Sequence, residues 1–243
     1  MKDEEKKEIL IKFSEWFRDS LINSHIKNTK KLSDIKEFNI NPFLLHYLAN
    51  YLEGNSEPDS LAKVLLYPRI LGTSISTSFG THMQTFITKV LGAYGSAVHG
   101  IDIEFIDYID NRKKYCQLKS GPNAINYDDV ITIKNHFTSI RNLARQNKLK
   151  LEVTDLVFCL IYGEPQEKNS FIKKLEMEYI VYIGQGLWHR FTGDNLFYKE
   201  LILATGKIAK NINMKHIVED VIAQLSKQVG SRYREILGDS SND

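Results

Sequence analysis

The sequence predicts an α/β fold, a mixed β-sheet flanked by helices, with further helices toward both ends of the chain. Three observations carry this. Residues 101–107, Ile-Asp-Ile-Glu-Phe-Ile-Asp, alternate as a strand does, and 114–120 return from them across a short polar turn. Residues 154–163, Thr-Asp-Leu-Val-Phe-Cys-Leu-Ile-Tyr-Gly, hold a nearly continuous apolar run, as in a strand covered on both faces. Around these runs the apolar residues switch to helical spacing.

Composition narrows the class. The 243 residues are 42% hydrophobic and 26% charged, an ordinary globular balance. The net charge is only +2, so a nucleic-acid surface would need local clusters of Lys and Arg. Cys116 and Cys159 lie in apolar runs and read as buried, reduced thiols, indicating neither a disulfide scaffold nor a zinc site. The opening Met-Lys-Asp-Glu-Glu-Lys-Lys-Glu-Ile-Leu lacks the apolar stretch of a signal peptide. No segment nears the ~18 uninterrupted apolar residues of a membrane span. A cytoplasmic location with no membrane partner is expected.

Taken in order, Ile9, Leu10, Phe13, Trp16, Phe17 and Leu21 mark one apolar face of a helix over residues 4–24. Residues 25–34 read as a polar, basic linker. A second helix lies near 41–53, closed by Gly54, and 55–60 read as a loop and helix start. Residues 65–80 turn from apolar to Gly/Ser/Thr-rich around Arg69 and are expected to be a loop. Phe79, Met83, Phe86, Ile87, Val90 and Leu91 then form the clearest helix, with Ser78 as N-cap and Gly92 after its end. The hairpin follows. Residues 127–147 are helical again, with Val130, Ile133, Phe137, Ile140 and Ala144 as the buried stripe. A last strand covers 179–186, with Trp188 and Tyr198 read as core. The tail from Asn195 to Leu237 is helical with breaks near Gly206 and Gly230, and the closing Gly-Asp-Ser-Ser-Asn-Asp is expected to fray. The division is a helical region over 1–70, suited to dimerisation or DNA contact, a core over 71–205 and a helical region over 206–243.

The hairpin holds the chemistry. Asp102, Glu104 and Asp107 are expected on the polar side of the first strand, and Gln117 and Lys119 share one face of the second. If the register aligns them, a carboxylate, an amide oxygen and an ammonium converge. Oxygen donors of this kind suit Mg²⁺, and a lysine beside them suits a phosphate gaining charge. Alternating strands also carry such residues merely on a solvated face.

Asp102, fourteen intervening residues, then Gln117-x-Lys119 resembles the signature of the PD-(D/E)xK nuclease superfamily. The order of elements over residues 78–162 resembles that family's core. Within it, the chain looks most like type II restriction endonucleases, through Gly-Ile-Asp-Ile-Glu-Phe-Ile-Asp, the stretch from Tyr115 to Val130 and the block Gly-Gln-Gly-Leu-Trp-His-Arg-Phe-Thr-Gly-Asp from Gly184. The likeness covers roughly 70–205. Two departures stand out. Ile101 replaces the common Pro, and Gln117 replaces the usual acid, as in Mrr-like members.

The resemblance implies a restriction-endonuclease-like core, cleavage of double-stranded DNA with Mg²⁺ as cofactor, and a homodimer for palindromic targets. It implies Asp102, Gln117 and Lys119 as catalytic residues. It implies Asp102, Gln117 and the carbonyl of Leu118 as metal ligands, with Gln84 and Glu104 as candidates to stand behind them. Ser120 and Asn123 fall in the loop that the family holds near the scissile phosphate. Lys134, Arg141 and Arg145, with Lys148, form a basic stripe open to DNA contact or mere solvation, and Arg69 suits phosphate or guanine. His82, His99 and His136 lack zinc spacing and read as structural or weak DNA contacts. A repair or junction-resolving nuclease and a catalytically weak DNA-binding protein remain the alternatives.

Overall fold

The computed structural model describes residues 1–210, 212 and 214–237, so the closing six residues expected to fray lie outside it. Helices come first: α1 (Asp3–Trp16), α2 (Asn23–Lys31), α3 (Pro42–Glu53), α4 (Pro58–Pro68) and α5 (Ser74–Val90). The sheet region follows as β1 (Tyr94–Gly95), β2 (Ile103–Ile106), β3 (Lys113–Lys119), α6 (Tyr127–Gln146), β4 (Leu156–Leu160), α7 (Ser170–Glu176) and β5 (Ile180–Ile183). The chain then runs through α8 (Gln185–Thr192), α9 (Phe197–Lys210) and α10 (Lys215–Leu237). By packing, the described residues form two compact units: Met1–Trp16 with Phe79–Lys207, and Phe17–Ser78 with the described residues from Ile208 onward. No described helix is long and apolar enough to cross a membrane.

In the first unit the described strands make one five-stranded sheet in the order β1-β2-β3-β4-β5. The β1–β2 and β2–β3 pairs are antiparallel, while β3–β4 and β4–β5 are parallel. The sheet is therefore mixed, as the alternating and the fully apolar runs imply. Every residue of β4 is buried. Leu156, Phe158 and Leu160 face the apolar stripe of α6, in which Val130, Ile133, Phe137, Ile140 and Ala144 are all buried. Aromatic rings form a separate cluster, with Phe86 against Phe13, and Trp188 against Phe191 and Phe197. The Trp188 indole donates to the Ile161 carbonyl at 2.8 Å, so its one polar atom is satisfied in the core. Tyr198 is half-buried.

The second unit is helical. Its core joins Leu45 and Ala49 of α3, Leu61 and Leu66 of α4, and Leu225 and Val229 of α10. Gly54 ends α3 in the left-handed conformation, as expected of a glycine there.

Several expectations are corrected. Residues 65–80 are helical rather than a loop: α4 runs to Pro68, a π-helical turn spans Arg69–Thr73, and α5 starts at Ser74. Ser78 therefore lies inside α5 and is not its N-cap. The basic linker is also helical as far as Lys31, with Thr29 buried. Packing outweighs weak propensity in both places. Neither Gly206 nor Gly230 breaks a helix. At Gly230 a β-carbon would lie only 3.1 Å from the Pro58 ring, so the glycine serves the close approach of α10 to α4.

Candidate active site

The site begins with register. β2 and β3 pair Ile103 with Cys116 and Glu104 with Tyr115, and Asp102 lies just ahead of β2. The Asp102 N–H donates to the Cys116 carbonyl at 3.0 Å, one residue out of the β2–β3 register, which keeps Asp102 against β3. The carboxylate of Asp102 accepts the Leu118 N–H at 2.7 Å, which fixes it across the two strands. Gln84, on α5, directs its amide toward the Asp102 carbonyl at 3.5 Å. Asp102, Gln117, Leu118, Lys119 and Gln84 thus gather at one end of the hairpin.

Gln117 and Lys119 lie on the sheet face covered by α6. The Lys119 ammonium is 3.5 Å from Asp129 in the first turn of that helix. Asp129 also closes the helix start: its carboxylate accepts the Asn126 N–H at 2.9 Å, and Asn126 accepts the Asp129 N–H at 3.0 Å. The Gln117 amide donates to the Gly100 carbonyl and lies 2.6 Å from His136 Nδ1. Asp129 and His136 are seven residues apart, two helical turns, so one face of α6 meets both Lys119 and Gln117.

Other expected participants lie elsewhere. Glu104 is bound to Lys113 and to Ser96 Oγ. Burial would raise its carboxyl, but Lys113 and Ser96 hold it below the usual range. Asp107 does not share the face of Asp102. It is fully buried, accepting from Arg190 and from the Ile109 N–H, each at 2.9 Å, because an odd step along a strand reverses the face. Cys116 is buried beside Cys159, and burial pushes its thiol well above the ordinary value.

Ser120 continues β3, and its carbonyl accepts the Tyr162 N–H at 3.0 Å. Asn123 is exposed on the following turn. Lys134 pairs with Glu178. It stands two residues from His136, about 200° round the helix, so the basic stripe turns away from Gln117. Arg141 is exposed, and Arg145 contacts Asn142 at 3.4 Å. Arg69 belongs to the helical unit, where it donates to the Glu37 carbonyl at 3.0 Å and lies over the Phe38 ring. His82 stands edge-on to Trp16, and His99 edge-on to His136. His136, Gly100 and Asp129 are the neighbours that sequence reasoning missed. For Asp129 and His136 the signal was their seven-residue spacing on α6.

No described group of three or more His, Cys, Asp or Glu is placed to hold a metal. Asp102, the Gln117 amide oxygen and the Leu118 carbonyl instead offer oxygens from adjoining strands. Such a set fits a hard cation that keeps waters and takes phosphate oxygens better than it fits a closed protein cage.

A family model described as "Type II restriction endonuclease EcoO109I" matches residues 13–213. No curated protein matches the chain.

Proposed function

The chain belongs to the family of the type II restriction endonuclease EcoO109I and is a site-specific DNA endonuclease; from that premise we propose that Asp102, Gln117 and Lys119 carry out the hydrolysis with Mg²⁺, in a cytoplasmic homodimer. The observation that supports the assignment is the hydrogen bond from the Leu118 N–H to the Asp102 carboxylate at 2.7 Å, at the residue between Gln117 and Lys119 on β3.

Asp102, Gln117 and the Leu118 carbonyl would hold the cation. When bound, it would polarise the scissile phosphate and make the attacking water more acidic. Lys119 meets the charge that builds on the phosphate. Before DNA arrives it has Asp129 as a counter-ion, so a phosphate replaces one anion with another. Ser120 and Asn123 follow the lysine and suit contacts to the same strand of DNA. Arg69, Lys134, Arg141 and Arg145 remain candidates for phosphate contacts.

One site per chain cuts one strand, so cleavage of a duplex at a symmetric target calls for two chains. The outer face of α3 supports this reading. Phe43, Leu44, Tyr47, Leu48, Tyr51 and Leu52 are all exposed there, with Phe43 at 88% and Tyr51 at 76%.

The test is digestion of phage DNA across a metal series. Cutting is expected with Mg²⁺ or Mn²⁺ and none with EDTA. Ca²⁺, larger and more loosely coordinated, should support binding without cutting. Undiminished cutting in EDTA would remove the metal from the reaction.

A further inference from the structure

Gln117 stands where most relatives of this active-site type carry an acid, and its surroundings explain why an amide sits there. Two groups face its side chain: the Gly100 carbonyl and Nδ1 of His136 at 2.6 Å. A carbonyl can only accept, so the NH₂ end of the amide must be the end turned toward it. That orientation is fixed by chemistry. His136 Nδ1 accepts the second proton when the ring hydrogen sits on Nε2. Both amide protons are then used, and the planar group leaves Oε1 on the opposite side, where no described donor reaches it.

The frame around these contacts is itself constrained. Gly100 has a φ of +82°, and a β-carbon there would fall within the His136 ring. Gln117 is buried to 7% exposure, and His99 packs edge-on against His136.

We infer that His136 is a positioning residue for the metal: together with the Gly100 carbonyl it locks the Gln117 amide so that Oε1 alone faces the cation, and the pocket is built for an amide and not for a carboxylate. This rests on the reading of Gln117 as a ligand. A carboxylate at 117 would bring lone pairs against the Gly100 carbonyl, with no proton to offer it. Restoring the acid should therefore fail to improve the site, although a carboxylate is the stronger ligand in isolation.

The experiment uses the full chain and Mn²⁺. Mn²⁺ binding is followed by electron paramagnetic resonance, and the Mn²⁺ dependence of phage-DNA cleavage is measured beside it. His136→Leu and His136→Asn have similar shapes, but only Asn offers an acceptor near the position of Nδ1. Loss of a group that orients a ligand typically weakens metal affinity or activity by ~10- to 100-fold. The expected result is a binding midpoint raised about tenfold or more by His136→Leu and largely restored by His136→Asn. Gln117→Ala combined with His136→Leu should be no worse than Gln117→Ala alone, since both act through one side chain.

Parental Mn²⁺ binding in His136→Leu beside a weakened Gln117→Ala would overturn the role of His136 and leave the metal site standing. Fully additive losses would also overturn it. Parental behaviour in Gln117→Ala would instead sink the ligand assignment, and the role of His136 with it. If His136→Leu does not fold, Gln117→Glu decides: a midpoint no lower than the parent's is expected, and clearly tighter binding contradicts the inference.

Discussion

Lys119 and Asp129 show how single residues divide their work. Lys119 is about 40% exposed and Asp129 about 31%, so the pair is largely open to solvent. An ion pair this exposed is worth only about 0–1 kcal/mol, so a phosphate can displace Asp129 without great loss. Asp129→Asn should keep the helix cap, because an amide oxygen still accepts the Asn126 N–H. It should tighten DNA binding by no more than ~5-fold at low salt, within the energy of such a pair. Fluorescence anisotropy across a salt series would measure this. Weaker binding would mean that Asp129 supports the lysine and does not compete for it.

At the scale of elements, the end of the hairpin remote from the site is held by a charge network. Lys114 is fully buried and lies 2.6 Å from Asp110, 3.1 Å from the Thr154 carbonyl and 3.6 Å from Asp155. Arg112 grips Asp155 with two nitrogens. Burial would raise the Asp155 and Asp110 carboxyls, but Arg112 and Lys114 respectively hold them below the usual range. Asp155→Ala should cost about 3–5 kcal/mol, because it strips a buried cation of part of its compensation. Urea denaturation would read the loss. Since both folded carboxyls titrate low, their contribution is present above ~pH 4 and fades as pH falls through the lower folded values. The network also marks the limits of sequence reading. β2, β3, β4 and the buried stripe of α6 were legible because their periodicity is strong and each buries a defined face. The helices over 25–31 and 65–80 were not, since Gly, Ser and Thr read locally as loop and only packing turns them helical. In the proposed site, Asp102, Gln117 and Lys119 were legible through the resemblance to the nuclease signature, since spacing alone suits a solvated strand face as well. His136 was not, because its partner is 19 residues away in sequence and only the fold brings them together.

At the scale of the molecule, the proposed homodimer is tested at the exposed apolar face of α3. Phe43→Asp combined with Tyr51→Asp changes two exposed positions, so folding should survive. Analytical ultracentrifugation should show dimer in the parent and monomer in the variant, and plasmid should be nicked in place of being linearised. A variant that stays dimeric would move the interface off α3. The central claim is that the hairpin site cuts DNA at a defined sequence and that Lys119 belongs to it. It is tested most directly by digesting phage DNA with Mg²⁺ and sequencing the ends, for the parent and for Lys119→Ala. The parent should yield ends sharing one sequence. Lys119→Ala should remain folded and yield those ends at a rate lower by ~100-fold or more, the usual consequence of losing a preorganised charge. The same ends at the parental rate from Lys119→Ala would contradict the assignment of the hairpin as the active site.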